Sequence, residues 1–243
     1  GTNAHYGTPL SIWDRDRGHL PGGSSSGSAV AVAEGIVAAA LGSDTAGSCR
    51  IPAAFNGVVG VKPSYGRMSL KGIYPLSPTL DAPGPPAVDV DSCFILDQLM
   101  CGRTRSAGDL PRLLPTDPSQ LKLLIPGARV MNELDEEVRN SFESAVEVLR
   151  AAGANIREQS LPILDDCDDL FLERPLVVRE AWDFHRDMLE QHFDEYDPFV
   201  GARLRLGADI SDAEQQSRIA ARNKLVNAFE REFADLQVDA LLY

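Results

Sequence analysis

Two turns built of small residues constrain this chain more than any other feature. Gly22-Gly23-Ser24-Ser25-Ser26-Gly27-Ser28 runs straight into an Ala/Val-rich segment, 28–40, and Gly42 closes that segment ahead of Ser43-Asp44-Thr45-Ala46-Gly47-Ser48. The composition of 28–40 predicts a helix. A flexible linker is one reading of the first cluster, but a linker has no reason to feed directly into an apolar helix. A phosphate cradle is a second reading, because Gly22 and Gly27 have the P-loop glycine spacing; Ser28, however, stands where that loop needs a lysine. The third is an active-site turn, where backbone N–H groups and hydroxyls converge at a helix N-terminus.

The second turn favours the third reading. Its small residues let the backbone bend so that consecutive N–H groups point one way. A helix is expected just after it, at Ile51-Pro52, with Pro at an early position where its missing N–H costs little. Ser48 would then lie near the positive end of a helix dipole, and N–H groups from 45 to 48 could line an oxyanion hole. The turn is not a GxSxG elbow, since Ala46 and Arg50 occupy the glycine positions.

The remaining pattern alternates strands and helices. Val58–Val61, Leu121–Ile125 and Asn155–Leu161 read as strands. Helices are expected over Asp89–Met100, from an Asn132 cap to about Ala152, and from a Ser211 cap with Glu214 three residues on toward Ala234. Residues 1–21 read as a surface loop, and the proline-rich 63–87 as an ordered loop. This alternation gives an α/β class. The 243 residues, 44% apolar, suffice for one large domain or two small ones.

The net charge of −13 opposes nucleic acid or an anionic membrane surface as a direct partner. The longest apolar stretch, Val30–Leu41, is interrupted by Glu34 and Gly35 and is too short to span a bilayer. Cys49, Cys93, Cys101 and Cys167 match neither a zinc knuckle nor a CxxC pair, which points to a reducing, cytoplasmic setting. His185 and His192 lack a carboxylate at metal-site spacing, so no metal is expected. Asp165, Asp166, Asp168 and Asp169 read as a solvated face.

Taken together, Gly22–Ser28, Gly42–Ala53 and Gly60-Val61-Lys62-Pro63 closely resemble the amidase signature family, in motif and in spacing. The resemblance is high over residues 1–102 and looser over 103–243. It implies a single domain with a mixed β-sheet core covered by helices. In that family a serine nucleophile is activated by a second serine, held in a cis peptide, and by a lysine. Position by position, Ser48 matches the nucleophile and Ser24, 24 positions upstream, the cis-serine relay. Thr45, Ala46, Gly47 and Ser48 match the oxyanion-hole backbone. Ser25, Asp44 and Arg50 match supporting polar positions. The implied chemistry is hydrolysis of a small or medium carboxamide through an acyl-enzyme, with no metal or organic cofactor.

Ser26 and Ala46 replace common family glycines, and Cys49 replaces a usual aliphatic residue. Cys49 is expected to be buried packing. The family lysine lies upstream of the cis-serine, and none of the 23 residues before Ser24 is lysine. Lys62 matches a structural family lysine, and Lys71 has no matching role. Gly1-Thr2-Asn3 reads as the inside of a loop and Val238–Tyr243 as a buried strand just beginning, so the expectation is an internal segment of a longer amidase, incomplete at both ends. The expected partner is a small-molecule amide, with room for a homodimer or a partner subunit. The alternatives are the amidase subunit of a glutamine-dependent tRNA amidotransferase and a non-catalytic fragment or pseudoenzyme. His5 and Tyr6 precede the serine turn and read as loop packing or a substrate-facing pair. The resemblance makes Trp182, Phe184 and Phe199 candidates for a pocket wall.

Overall fold

The structure is a computed structural model and describes all residues except 14, 104–109, 111, 128 and 173–175. They fall into two compact units: residues 1–113 with 177–209, and residues 114–176 with 210–243. The α/β class holds, with the strands divided among small sheets.

In the first unit, helix α1 spans Ser26–Ala33 and buries Ala29, Val30 and Val32. It stops well short of residue 40 because Glu34 caps it and Gly35 takes the left-handed conformation, at φ +72°. The segment beyond turns back as extended chain. Ala40 N–H donates to Pro86 O, Val88 N–H donates to Ala38 O, and Ala39 bridges Ala87. Strand β1 is Gly42–Asp44, helix α2 is Arg50–Asn56 and strand β2 is Val59–Gly60.

The proline-rich segment, expected as an ordered loop throughout, ends in strand. Its end forms β3, Ala82–Gly84, antiparallel to β1, and β4, Pro86–Ala87, antiparallel to β2. Proline is tolerated because these pairings are only two or three residues long and need few N–H donors. Helix α3, Val90–Met100, begins where the Asp89 carboxylate accepts the Ser92 N–H at 2.7 Å. Cys93 is buried on the carbonyls of Val59 and Pro85. Arg67 clamps Asp97 with two guanidinium bonds, fixing the loop to this helix.

The second unit centres on a parallel three-stranded sheet in the order β6-β5-β7. Strand β5 is Lys122–Gly127, followed by a single helical turn α4, Arg129–Asn132. Helix α5 is Glu136–Ala151, so it starts after Asp135 and not after Asn132, which closes the separate turn. Strand β6 is Asn155–Ser160 and helix α6 is Ile163–Leu172. Next come helix α7, Leu176–His192, and helix α8, Pro198–Arg205, whose residues from 177 on belong to the first unit. There Ala181, Leu189 and Leu204 form an apolar cluster with Trp182, Phe193 and Tyr196 around it.

Helix α9, Asp212–Leu236, returns the chain to the second unit, with Ser211 Oγ accepting the Glu214 N–H at 3.2 Å as the sequence predicts. Strand β7, Ala240–Leu241, is half-buried and pairs with β5 at Leu123 and Leu124. Leu124, Leu161 and Leu236 form the core of this unit. No helix among the described residues is long and apolar enough to cross a membrane.

Candidate active site

The second turn is folded around one carboxylate. Asp44 ends β1 with its side chain fully buried. Its Oδ1 accepts the Gly47 N–H at 2.6 Å, and its Oδ2 accepts the Cys49 N–H at 3.1 Å. Arg50, the first residue of α2, donates from Nε to Oδ2 at 3.0 Å and from Nη2 to Oδ1 at 3.1 Å. Burial pushes the Asp44 carboxyl up, but the guanidinium and the two backbone donors outweigh it and hold the group below its ordinary value. The carboxylate thus stays ionised and acts as a template for the bend from strand to helix. Gly47 takes φ +113°, which a residue with a Cβ rarely adopts.

With the Gly47 and Cys49 N–H groups turned inward, others are left over. Among the described residues, the N–H groups of Thr45, Ala46 and Ser48 meet no protein acceptor. Ser48 is half-buried.

The first turn rests directly on the second. The Gly23–Ser24 peptide is cis, at the position where the resemblance places one. The next residue, Ser25, donates its N–H to the carbonyl of Ser48 at 3.1 Å. Its hydroxyl donates to Ser43 O and accepts the Ser43 N–H, each at 3.3 Å. The predicted nucleophile and relay serines are therefore each joined, through backbone, to the same short bridge. Ser24 is exposed. The bridge needs a glycine at 42: a Cβ there would lie 2.8 Å from Ser25 Oγ and 2.7 Å from Cys49 Sγ.

Residues outside the motifs support the turns. Asn56 of α2 donates to the carbonyls of Pro21 and Pro52, and Ser11 Oγ donates to Phe55 O, which fastens the 1–21 loop to that helix. Thr45 Oγ1 donates to Asp81 Oδ1 at 2.5 Å. Asp81 Oδ2 also accepts the N–H groups of Leu76 and Ser77, each at 2.9 Å. Sequence reasoning missed Asp81, although one acid inside the run Leu80-Asp81-Ala82-Pro83 is a signal of a buried, satisfied carboxylate.

Cys49 is buried with its Sγ 3.4 Å from Gly84 O, and burial pushes its thiol up to about 11. Lys62 Nζ donates to Pro63 O at 3.1 Å. Lys71 lies in an exposed turn. His185 Nδ1 sits 2.8 Å from Tyr196 OH, and His192 Nδ1 2.8 Å from Glu195. His5 and Tyr6 are exposed, with both N–H groups on the Asn3 side chain. Trp182 packs on the Ala181 cluster, while Phe184 and Phe199 are exposed. Asp165 is half-buried and Asp166 exposed; the side chains of Asp168 and Asp169 lie outside those described.

The family model named Amidase matches residues 1–243. The chain belongs to the amidase signature family. It is 34% identical over 242 residues to the 2-amino-5-chloromuconic acid deaminase of Comamonas testosteroni, covering 98% of this chain and 51% of that protein. It is 42% identical over 171 residues to one of the subunits of the glutamyl-tRNA(Gln) amidotransferase of Clostridium botulinum, covering 67% of this chain and 35% of that one. A crystal structure of an amidase superposes with a TM-score of 0.84 at 37% identity, over 99% of this chain and 52% of the other. The allophanate hydrolase of Kluyveromyces lactis gives 0.80 at 26% identity, over 97% and 39%. This amidase-family chain therefore spans about half the length of the first curated relative and of the amidase crystal structure.

Proposed function

We propose that the protein is an amidase that cleaves the C–N bond of a small or medium carboxamide, with Ser48 as nucleophile and Ser24 as proton relay. The observation that carries the reading is the bond from Ser25 N–H to Ser48 O, which ties the two serine turns together at the proposed nucleophile and at the residue that follows the proposed relay.

In this reading a lysine upstream of the serine turn, as in the resembled family, takes a proton from the Ser24 hydroxyl. Ser24 takes one from Ser48, and Ser48 Oγ attacks the amide carbonyl. The negative charge that develops on the carbonyl oxygen is met by the turn Thr45-Ala46-Gly47-Ser48. The N–H groups of Thr45, Ala46 and Ser48 serve as donors, and that of Gly47 holds the turn to Asp44. The C–N bond then breaks, the relay returns the proton to the departing nitrogen, and water releases the acyl group from Ser48. Ser25 keeps the two turns in register, and Asp44 with Arg50 holds the shape of the second. No step calls for a metal or an organic cofactor.

The test is labelling of the full-length gene product by a fluorophosphonate probe. Ser48→Ala is expected to abolish it, and unchanged labelling would refute the assignment. A second reading, the amidase subunit of a tRNA amidotransferase, is favoured by the 42% identity to a tRNA amidotransferase protein over 171 residues. Co-purification with a second subunit together with glutamine-dependent ammonia release would select that reading over a stand-alone amidase.

A further inference from the structure

We propose that Asp81 and Glu180 are positioning residues for the oxyanion turn, Asp81 by gripping the Thr45 hydroxyl and Glu180 by gripping the loop that carries Asp81. The inference rests on the amidase reading of Ser48.

The geometry begins at the strand pair that leads into the turn. Strands β1 and β3 are antiparallel, with Asp44 opposite Ala82. The next pair outward would be Thr45 opposite Asp81. There the backbone ladder ends, and a side-chain bond of 2.5 Å from Thr45 Oγ1 to Asp81 Oδ1 takes its place. Thr45 is the first residue of the turn, so this bond sets where the turn leaves the sheet. Asp44 holds the same turn from inside, through Gly47 and Cys49. Two carboxylates therefore fix the turn from two sides, at Thr45 and at residues 47–50.

Asp81 is itself held. Its other oxygen accepts the Leu76 and Ser77 N–H groups, and its own N–H donates to Ser77 O at 2.8 Å. Asp81 is buried and Ser77 is fully so, which keeps water from competing for these bonds. Ser77 is in turn fixed from a distant part of the chain. Its Oγ donates to Glu180 Oε2 at 2.6 Å, Thr79 N–H donates to the same oxygen at 3.2 Å, and Thr79 Oγ1 donates to Oε1 at 2.8 Å. Glu180 projects from α7. A continuous set of charge-assisted bonds thus runs from α7 through Ser77 and Asp81 to Thr45. Neither carboxylate lies in the serine motifs, and each acts only through other groups.

The consequence is kinetic. Oxyanion donors act by being fixed before the charge develops, and a displacement of about 1 Å can cost about a hundredfold in rate. Loosening Thr45 should slow bond formation at Ser48 with little effect on initial binding.

The experiment measures fluorophosphonate inactivation of the full-length gene product, resolved into the first-order constant kinact and the binding constant KI. Thr45→Val keeps the size of the side chain and removes the donor. It should lower kinact by about tenfold to a hundredfold, with KI within about threefold of wild type. Thr45→Ser restores the hydroxyl and should recover kinact to within about threefold. Glu180→Gln, one step further out, should lower kinact by about threefold to tenfold. Because kinact is a rate per active site, a smaller folded fraction does not mimic the effect. A Thr45→Val enzyme with wild-type kinact, or a Thr45→Ser enzyme as slow as Thr45→Val, overturns the proposal while leaving Ser48 as nucleophile. A wild-type protein that is not labelled at Ser48 overturns both.

Discussion

Asp44 holds Arg50 through both of its carboxylate oxygens, at 3.0 and 3.1 Å, across the turn that carries Ser48. The pair is asymmetric: the Asp44 side chain is fully buried, while that of Arg50 is 48% exposed. Loss of the aspartate charge strands a buried set of donors, whereas loss of the arginine leaves a carboxylate that still has backbone partners. Asp44→Asn is therefore expected to destabilise the protein by about 1–3 kcal/mol, and Arg50→Ala by less. Chemical denaturation of both variants at neutral pH measures the difference.

The same pair fixes a pH dependence. Asp44 is held below the ordinary aspartate value of 3.8, so between the folded and unfolded values the unfolded chain binds more protons. Its contribution to stability is fully present above that ordinary value and is lost as pH falls through the lower, folded one. Asp97 has the same sign, because Arg67 holds its carboxyl down as well. Wild-type stability should thus fall with acidification in this window, and Asp44→Asn should show a shallower fall. Urea unfolding across the acid range is the check, and equal slopes would remove Asp44 from the account.

Ser25 joins the turns in two ways, and one can be removed without the other. Ser25→Ala deletes the hydroxyl that meets Ser43 and keeps the N–H that meets Ser48 O. The expected cost is about 1 kcal/mol of stability, the net worth of such a bond, together with a fall in fluorophosphonate labelling rate of about tenfold as the turns loosen. Ser25→Pro removes the N–H as well and should reduce labelling far more. Equal labelling by Ser25→Ala and wild type would make the hydroxyl incidental.

Much of this was legible in the sequence because its logic is local. Small residues, the following helix start and the acidic residue at 44 all lie within one stretch of chain, and the Asp89 and Ser211 caps are read from neighbouring residues. What was not legible depends on partners far along the chain. Asp81 meets Thr45 across 36 positions and Glu180 meets Thr79 across 101, and no periodicity encodes either meeting. Prolines 83, 85 and 86 hid the short strands, since a residue without an N–H reads as a loop until its partner strand is known. The stretch 34–40 had helical composition, but its pairing with residues 86–88 outweighed that weak preference.

Glycines in the two turns should respond in opposite ways to a methyl group. At Gly42 a Cβ would press on Cys49 Sγ at 2.7 Å and Ser25 Oγ at 2.8 Å, inside the junction between the turns. Gly42→Ala is expected to cost about 1–3 kcal/mol, as overpacking does. Gly27 lies in α1, where a Cβ meets nothing within 4 Å. Gly27→Ala should stabilise by about 0.5–1 kcal/mol, because alanine loses less backbone freedom in a helix. Thermal unfolding midpoints that move in the same direction for both would contradict the packing shown by the turns.

Cys49 is the residue next to the proposed nucleophile, and its chemistry separates a serine enzyme from a thiol one. It is fully buried, and burial raises its thiol to about 11. Almost none of it is thiolate near neutral pH, so alkylation of the native protein should spare Cys49 and Cys93, which is buried and raised to about 11 as well. Cys101 and Cys167 are half-buried and should react first. Peptide mapping after iodoacetamide treatment, native and then denatured, gives the order. Cys49→Ser is nearly isosteric, and its hydroxyl can still donate to Gly84 O, the present partner of Sγ. That variant should keep fluorophosphonate labelling at Ser48 within about threefold of wild type. Labelling lost with Cys49→Ser and retained in Ser48→Ala would transfer the nucleophile's role from the serine to the cysteine.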